Sequence, residues 1–321
     1  MMSPSFALRR IEKTHRLADW GFNVTVCIAA ICNDHKTIVL ASDSKVSFAD
    51  FSSDMAVLKF ETLFTHWLTL FAGEDTEHIP FILERAHELL LATLKRKSAS
   101  PTPTQVANAL QRAYDERLDA EITAKVLRRY NFTGKSFRDE GKRKCTASVY
   151  NSICTKIALV KLSLKFLIVG FDSKKEPRIM VGGGEETPMD YTRLGFWAIG
   201  SGADAALSSL MYHRQRQQIS TMISVEQCVY VVAASKYMAE SARDVGEHTS
   251  MMTLDMSPAL NTIMDNPIRK IWKEEGAPRL PQNLESRIRP LIVTPEQARS
   301  KANEAIEYFT QSASRKSAGR Q

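Results

Sequence analysis

No apolar run in the chain approaches the ~20 residues that a bilayer-spanning helix needs, which excludes a transmembrane segment. The first 24 residues carry Arg9, Arg10, Lys13 and Arg16 but no apolar stretch of the kind a secretory signal contains. Five cysteines, Cys27, Cys32, Cys145, Cys154 and Cys228, include no CxxC pair. An odd set without pairs argues against a disulfide framework and for small apolar thiols in a reducing cytosol. None of the histidines stands at ligand spacing from a cysteine pair, so no zinc site is expected. HExxH, GxSxG, GxGxxG and the P-loop lysine are all missing, and neither metal nor cofactor is expected. Ser42-Asp-Ser-Lys45 fits SxxK, but it sits at a strand end without the SDN and KTG companions of a penicillin-binding-type serine enzyme.

What is present is ordinary for a globular protein. The 321 residues are 44% hydrophobic and 25% charged, enough for one large domain or two small ones. The net charge of +7 is unevenly placed. Segments 1–24, 122–147 and 268–321 carry excesses of +2, +6 and +5, so the remaining chain is acidic. The basicity therefore lies outside the ordered pattern and speaks for assembly or an acidic partner. With no RNP motif, helix-turn-helix or aromatic–basic interleaving, a nucleic-acid partner is not expected.

The ordered pattern begins at Thr25. TVCIAAI over 25–31 and TIVLA over 37–41 read as a β-hairpin around a polar turn. Ala56-Val57-Leu58 and Leu68–Phe71 are further strand candidates. An apolar face at Ile79, Ile82, Leu83, Ala86, Leu89 and Leu90 predicts a helix, capped by Asp75 or Thr76. Thr102-Pro-Thr-Gln105 is a capping box opening a second helix through Val126. Residues 131–147 are basic and aperiodic, which predicts an exposed insertion. Strands follow at 166–171, 178–181 and 196–199, then Gly200-Ser201-Gly202 and two helices, the second behind Ser224-Val-Glu-Gln227. Met251–Leu254 is the last expected strand. Segment 256–321 reads as a basic helical tail, with 312–321 disordered. Strands in groups followed by helices in pairs predict an α+β fold, two antiparallel sheets with helices outside.

Four positions at strand ends combine chemistry: Thr25, Asp43, Lys59 and Gly73. A threonine hydroxyl is a weak nucleophile unless a base lies within reach, and a free N-terminal amine is such a base. A lysine beside an aspartate supplies a positive field, and a glycine N–H after a strand can face an oxyanion. Each residue also has a plainer use, as a β-former, an ion pair, a turn, or, for Ser201, a helix cap.

In order and spacing the segments resemble the proteasome β-subunit and HslV family of N-terminal-nucleophile (Ntn) hydrolases. Thr25-Val-Cys-Ile-Ala is similar to that family's opening strand, and Ala41-Ser-Asp43-Ser-Lys45 to its aspartate segment. Lys59 follows Asp43 by 16 residues and Gly73 follows Lys59 by 14, as in that family. Phe71-Ala-Gly73, Leu167–Asp172 and Ala198–Gly202 extend the likeness over about residues 25–255.

The resemblance implies a four-layer αββα Ntn-hydrolase sandwich and a threonine peptidase. Thr25 would be the nucleophile, Asp43 and Lys59 its activating pair, Gly73 the oxyanion donor and Ser201 the group beside the α-amine. Asp244, Thr249 or Ser250 would give further support, although Glu247 stands where that family has serine. It also implies a peptide or unfolded-protein substrate, a homo-oligomeric ring, an ATP-dependent unfoldase and a cytoplasmic setting.

The sequence departs from that pattern at its start, because Thr25 follows Val24 and its nitrogen is an amide. Cleavage before Thr25 would free it, with residues 1–24 an extension or propeptide; translation from a GUG codon at Val24 with loss of the initiator would also free it, with residues 1–23 then a mis-assigned start. The alternative is a catalytically inactive subunit with an assembly or binding role.

Overall fold

Alternation of apolar side chains on both faces of its strands dictates how this chain is layered. The computed structural model describes residues 25–33, 35–48, 51–53, 59–94, 100–184, 187–217, 223–242, 245–256, 260–276 and 280–300. Strands β1 (Val26–Cys32) and β2 (Thr37–Asp43) are buried throughout. They pair antiparallel, with Cys27 opposite Ser42 and Cys32 opposite Thr37. A short hairpin of β3 (Val46–Phe48) and β4 (Phe51–Ser53) follows, then β5 (Phe60–Phe64) and β6 (Trp67–Gly73). The strand expected at 56–58 lies outside the described residues.

Helix α1 (Ile79–Thr93) follows a 3-10 turn at Thr76–His78, so the true helix starts later than its expected cap. Helix α2 (Pro103–Lys125) opens with the full capping box: Gln105 N–H donates to Thr102 Oγ1 at 3.3 Å, and Thr102 N–H to Gln105 Oε1 at 2.8 Å. The basic stretch after it differs from its expected aperiodic form. It folds as α3 (Gly134–Lys144) and α4 (Ala147–Ala158), closed over a small core of Val126, Leu127, Phe137 and Ile153. Charged residues dominate α3, so its one large buried side chain, Phe137, leaves little periodic signal.

Strands β7 (Leu164–Phe171), β8 (Pro177–Gly182), β9 (Met189–Asp190) and β10 (Phe196–Gly200) come next. Helices α5 (Ala203–Gln217) and α6 (Val225–Ala239) lead to β11 (Thr249–Asp255). Beyond it the expected helical tail is corrected. β12 (Leu260–Ile263) pairs with β11 and β13 (Ile292–Val293) pairs with β12, with α7 (Asp265–Glu275) and α8 (Leu284–Ile288) between them. Ile263, Ile268, Ile271, Leu284 and Ile288 are buried there, so the described chain up to Val293 belongs to the main core. Pro267 falls in the first turn of α7, where a proline forfeits no helical hydrogen bond.

The result is a mixed α/β structure with two large antiparallel sheets, ordered β10-β1-β2-β11-β12-β13 and β5-β6-β7-β8-β9. Three apolar clusters join the elements. Val26, Ile28 and Ala30 of β1 pack with Ala206 and Leu210 of α5 and Val229 and Ala233 of α6. Their alternates, Cys27, Ala29 and Ile31, pack with Leu68, Leu70, Leu167 and Val169 of the other sheet. The opposite face of that sheet, including Trp67, Phe166 and Ile168, packs on Ile82, Leu90 and Leu110 of α1 and α2.

Candidate active site

The strand register carries Thr25 and Ser201 together across 176 residues. Val26 lies opposite Gly200, so the start of β1 and the turn after β10 meet. Thr25 N–H donates to Ser201 Oγ at 3.3 Å, and Ser201 Oγ donates to Thr25 O at 3.2 Å. Gly202 N–H reaches the same carbonyl at 3.3 Å. Gly200 has φ +100°, and a Cβ built on it would lie 2.2 Å from Thr25 O. Only a glycine lets the two backbones approach this closely.

Asp43 ends β2 and is wholly buried; Lys59, 5% exposed, precedes β5. Lys59 Nζ donates to Asp43 Oδ1 at 3.0 Å. The Thr25 hydroxyl donates to Asp43 Oδ1 and accepts from Lys59 Nζ, so all three side chains meet at one point. Asp43 Oδ1 also takes Val26 N–H at 3.0 Å, and Oδ2 takes Gly246 N–H at 3.1 Å. The lysine and two backbone amides thus give both oxygens of this buried carboxylate hydrogen-bond partners. The lysine charge in turn favours an alkoxide at Thr25 Oγ1 over the neutral hydroxyl.

Gly73 ends β6 with φ +145°, and a Cβ there would fall 1.7 Å from Ser163 O. Glu74 N–H donates to that same oxygen at 3.0 Å, so the turn is fastened to the start of β7. Cys27 Sγ donates to Phe71 O at 3.3 Å, tying the end of β6 to the start of β1. Burial pushes the Cys27 thiol up to about 12, which leaves it a packing group beneath the site and not a nucleophile.

The late support residues divide. Thr249 stands opposite Asp43 in the β2–β11 ladder, but its hydroxyl accepts from the Arg269 guanidinium at 3.2 Å and donates to Glu247 O at 3.4 Å. The described hydrogen bonds thus join Thr249 to Arg269 and not to Thr25. Ser250 lies opposite Ser42. Asp244 lies outside the described residues.

Sequence reading missed Gly246 and the ionic cluster behind it: Lys236, Glu240 and Arg269. The one signal available was Lys236, a lysine inside the apolar run Val231–Ala239. Among the described residues Asp75, Glu77 and His78 bring three ligand atoms within 4.8 Å. Arg117 donates to His78 Nδ1 at 3.1 Å and Ser163 N–H to Asp75 Oδ2 at 2.6 Å, so that group is already committed to protein partners and sits beside a positive charge. Among the described residues no helix is long and apolar enough to cross a membrane, and the five cysteines are free thiols. No family model matches this chain, and no curated protein matches it.

Proposed function

We propose that this protein is a threonine-type amidohydrolase acting on peptide bonds, with Thr25 as an N-terminal nucleophile. The observation that carries the reading is the Thr25 hydroxyl shared between the Asp43 carboxylate and the Lys59 ammonium, with Ser201 at the Thr25 nitrogen. Asp43 and Lys59, from distant segments, converge on one buried hydroxyl and fill its donor and one of its acceptor positions. The three stacked apolar clusters support a four-layer αββα sandwich of the Ntn type as the scaffold.

Once the Val24–Thr25 bond is cut, or translation begins at Val24 and the initiator is lost, the Thr25 nitrogen is a free amine. That amine takes the Oγ proton as Oγ attacks the substrate carbonyl carbon, and Lys59 steadies the developing alkoxide. The oxyanion forms within reach of a backbone donor, a role assigned to Gly73. Collapse breaks the C–N bond, and the ammonium returns the proton to the leaving amine. An acyl ester on Oγ remains. Water then adds with the same amine as base, the ester C–O bond breaks, and Oγ recovers its proton. Ser201 holds the amine in place throughout.

The family resemblance supplies the wider context: a homo-oligomeric ring, peptide or unfolded-protein substrates, and an ATP-dependent unfoldase as partner. A second reading, an inactive subunit with an assembly role, is favoured by one fact alone: Val24 precedes Thr25, which makes the nitrogen an amide.

Intact-mass measurement of the mature protein, with labelling by a peptide boronate or β-lactone, separates the two. The active reading expects a chain beginning at Thr25, label on that residue, and no label in T25A. A mature chain that retains residues before Thr25 and takes no label overturns it.

A further inference from the structure

We propose that Lys236 is a positioning residue for the candidate active site, holding Asp43 in place through the backbone of Gly246 and Glu247. This rests on the threonine-nucleophile reading for its catalytic consequence.

Lys236 lies on α6 with its side chain wholly buried. Its ammonium donates to Gly246 O at 2.6 Å, to Glu247 O at 3.0 Å and to Glu240 Oε1 at 2.6 Å. Three N–H groups therefore meet three acceptors, the full capacity of an ammonium. Burial pushes the Lys236 pKa down, and Glu240 opposes that shift. Burying an ammonium is unfavourable until its partners repay the lost hydration. What the charge does here is grip an irregular segment of chain.

That segment leads directly to the site. The same Gly246 whose carbonyl accepts from Lys236 gives its N–H to Asp43 Oδ2 at 3.1 Å. The other oxygen of Asp43 serves Thr25, Lys59 and Val26. Gly246 thus sets the rotation of the carboxylate, and through it the point where Thr25 and Lys59 meet. Arg269 grips the same segment. It donates to Glu247 O and to Thr249 Oγ1, and it pairs with Glu240 at 2.6 and 2.7 Å. Glu240 is shared by both cations, so the clamp is balanced by a carboxylate belonging to neither end of the reaction.

K236M removes the ammonium and keeps the stem, leaving Glu240 its Arg269 partner. The expected result is a fall in Thr25-dependent kcat of at least tenfold with KM within about twofold. Exchange of the Gly246 amide hydrogen should rise at least tenfold, while α6 amides stay near wild type. G246P deletes the next bond along the same path, from Gly246 N–H to Asp43 Oδ2, and should give at least the same kcat loss, which keeps the test open if K236M does not fold. In the K236M/G246P double variant the losses should not add, because Lys236 reaches Asp43 only through the Gly246 N–H that G246P has already removed. Unchanged kcat in K236M, or additive losses in the double variant, overturns the positioning role. If wild type shows no Thr25-dependent turnover, the peptidase reading fails by itself. The hold of Lys236 on the segment is then decided by exchange: faster exchange at Gly246 in K236M supports it, and wild-type exchange overturns it.

Discussion

Removing the charge of Lys59 tests the central arrangement without requiring turnover. In K59M the stem remains and the ammonium is lost, leaving Asp43 wholly buried. At the 3.0 Å separation, Coulomb attraction at an effective dielectric of ~20 is about 5.5 kcal/mol. Breaking one side of a buried pair typically costs about 3–5 kcal/mol, since the remaining charge is stranded. Asp43 keeps the Val26 and Gly246 amides, which places K59M near the lower end, at about 3 kcal/mol. D43N strands the lysine instead and should cost a similar amount. The double variant D43N/K59M strands nothing, so it should be less destabilised than the sum of the two by about 2 kcal/mol or more. Urea unfolding followed by fluorescence measures all four proteins, with the slope against denaturant reporting whether the transition is unchanged. K59M should also lose labelling at Thr25 by at least about a hundredfold. A coupling below about 0.5 kcal/mol would refute the reasoning, because the two groups would then not be exchanging charge for burial with each other.

G200A is expected to displace Thr25, since its Cβ would sit 2.2 Å from Thr25 O in a backbone conformation of φ +100°; it should cost more than ~1 kcal/mol and abolish Thr25 labelling, and a wild-type rate of labelling would count against the described turn. F137A removes the largest side chain of the small core between α3 and α4, so hydrogen exchange should rise across 126–158, with the rest of the chain unchanged; loss of protection in β1 or β7 would show that the helical insertion is not an independent cluster. His213 is 3% exposed, and burial lowers its pKa, so the folded chain keeps it neutral where the unfolded chain already takes a proton near pH ~6.5. Stability should therefore fall as pH drops below that value, by at most about 1.4 kcal/mol per pH unit, until the folded-state pKa is passed. H213F should flatten this acid slope in thermal melts, and equal slopes in the two proteins would contradict it.

Which parts of the fold were legible follows from where each element finds its partners. β1, β2, β6 and β7 bury both faces, so their β-branched and apolar runs stand out against polar turns. α1 keeps Ile79, Ile82, Ala86 and Leu90 on one buried face, and α2 announces its start through Thr102 and Gln105. β12 and β13 had no such mark. They are short strands at one side of the six-stranded sheet, held by pairing Leu254 with Leu260 and Thr262 with Val293, and pairing across 31 residues leaves no local pattern. Proline-bearing stretches around them weigh toward loops, although Pro267 and Pro290 both sit in helical first turns.

The site divides along the same line, between side chains that sequence can name and backbone that it cannot. Thr25, Asp43 and Lys59 stood out because residue type and strand end coincide at each, whereas Ser201 entered through the family resemblance. A hydroxyl, a carboxylate, an ammonium and a small residue between glycines carry their chemistry in their names, and β1 pairs with both β2 and β10, which brings their ends together. The clamp behind them works through the carbonyls of Gly246 and Glu247 and the amide of Gly246. Every residue has those groups, so no spacing rule selects them. Lys236 was visible as a charge in an apolar helix, but its target was not, since an i, i+4 partner at Glu240 already accounts for it on a helix surface. Only the burial of the ammonium, with two carbonyls completing its coordination, turns an ordinary helical ion pair into a fixed support for Asp43.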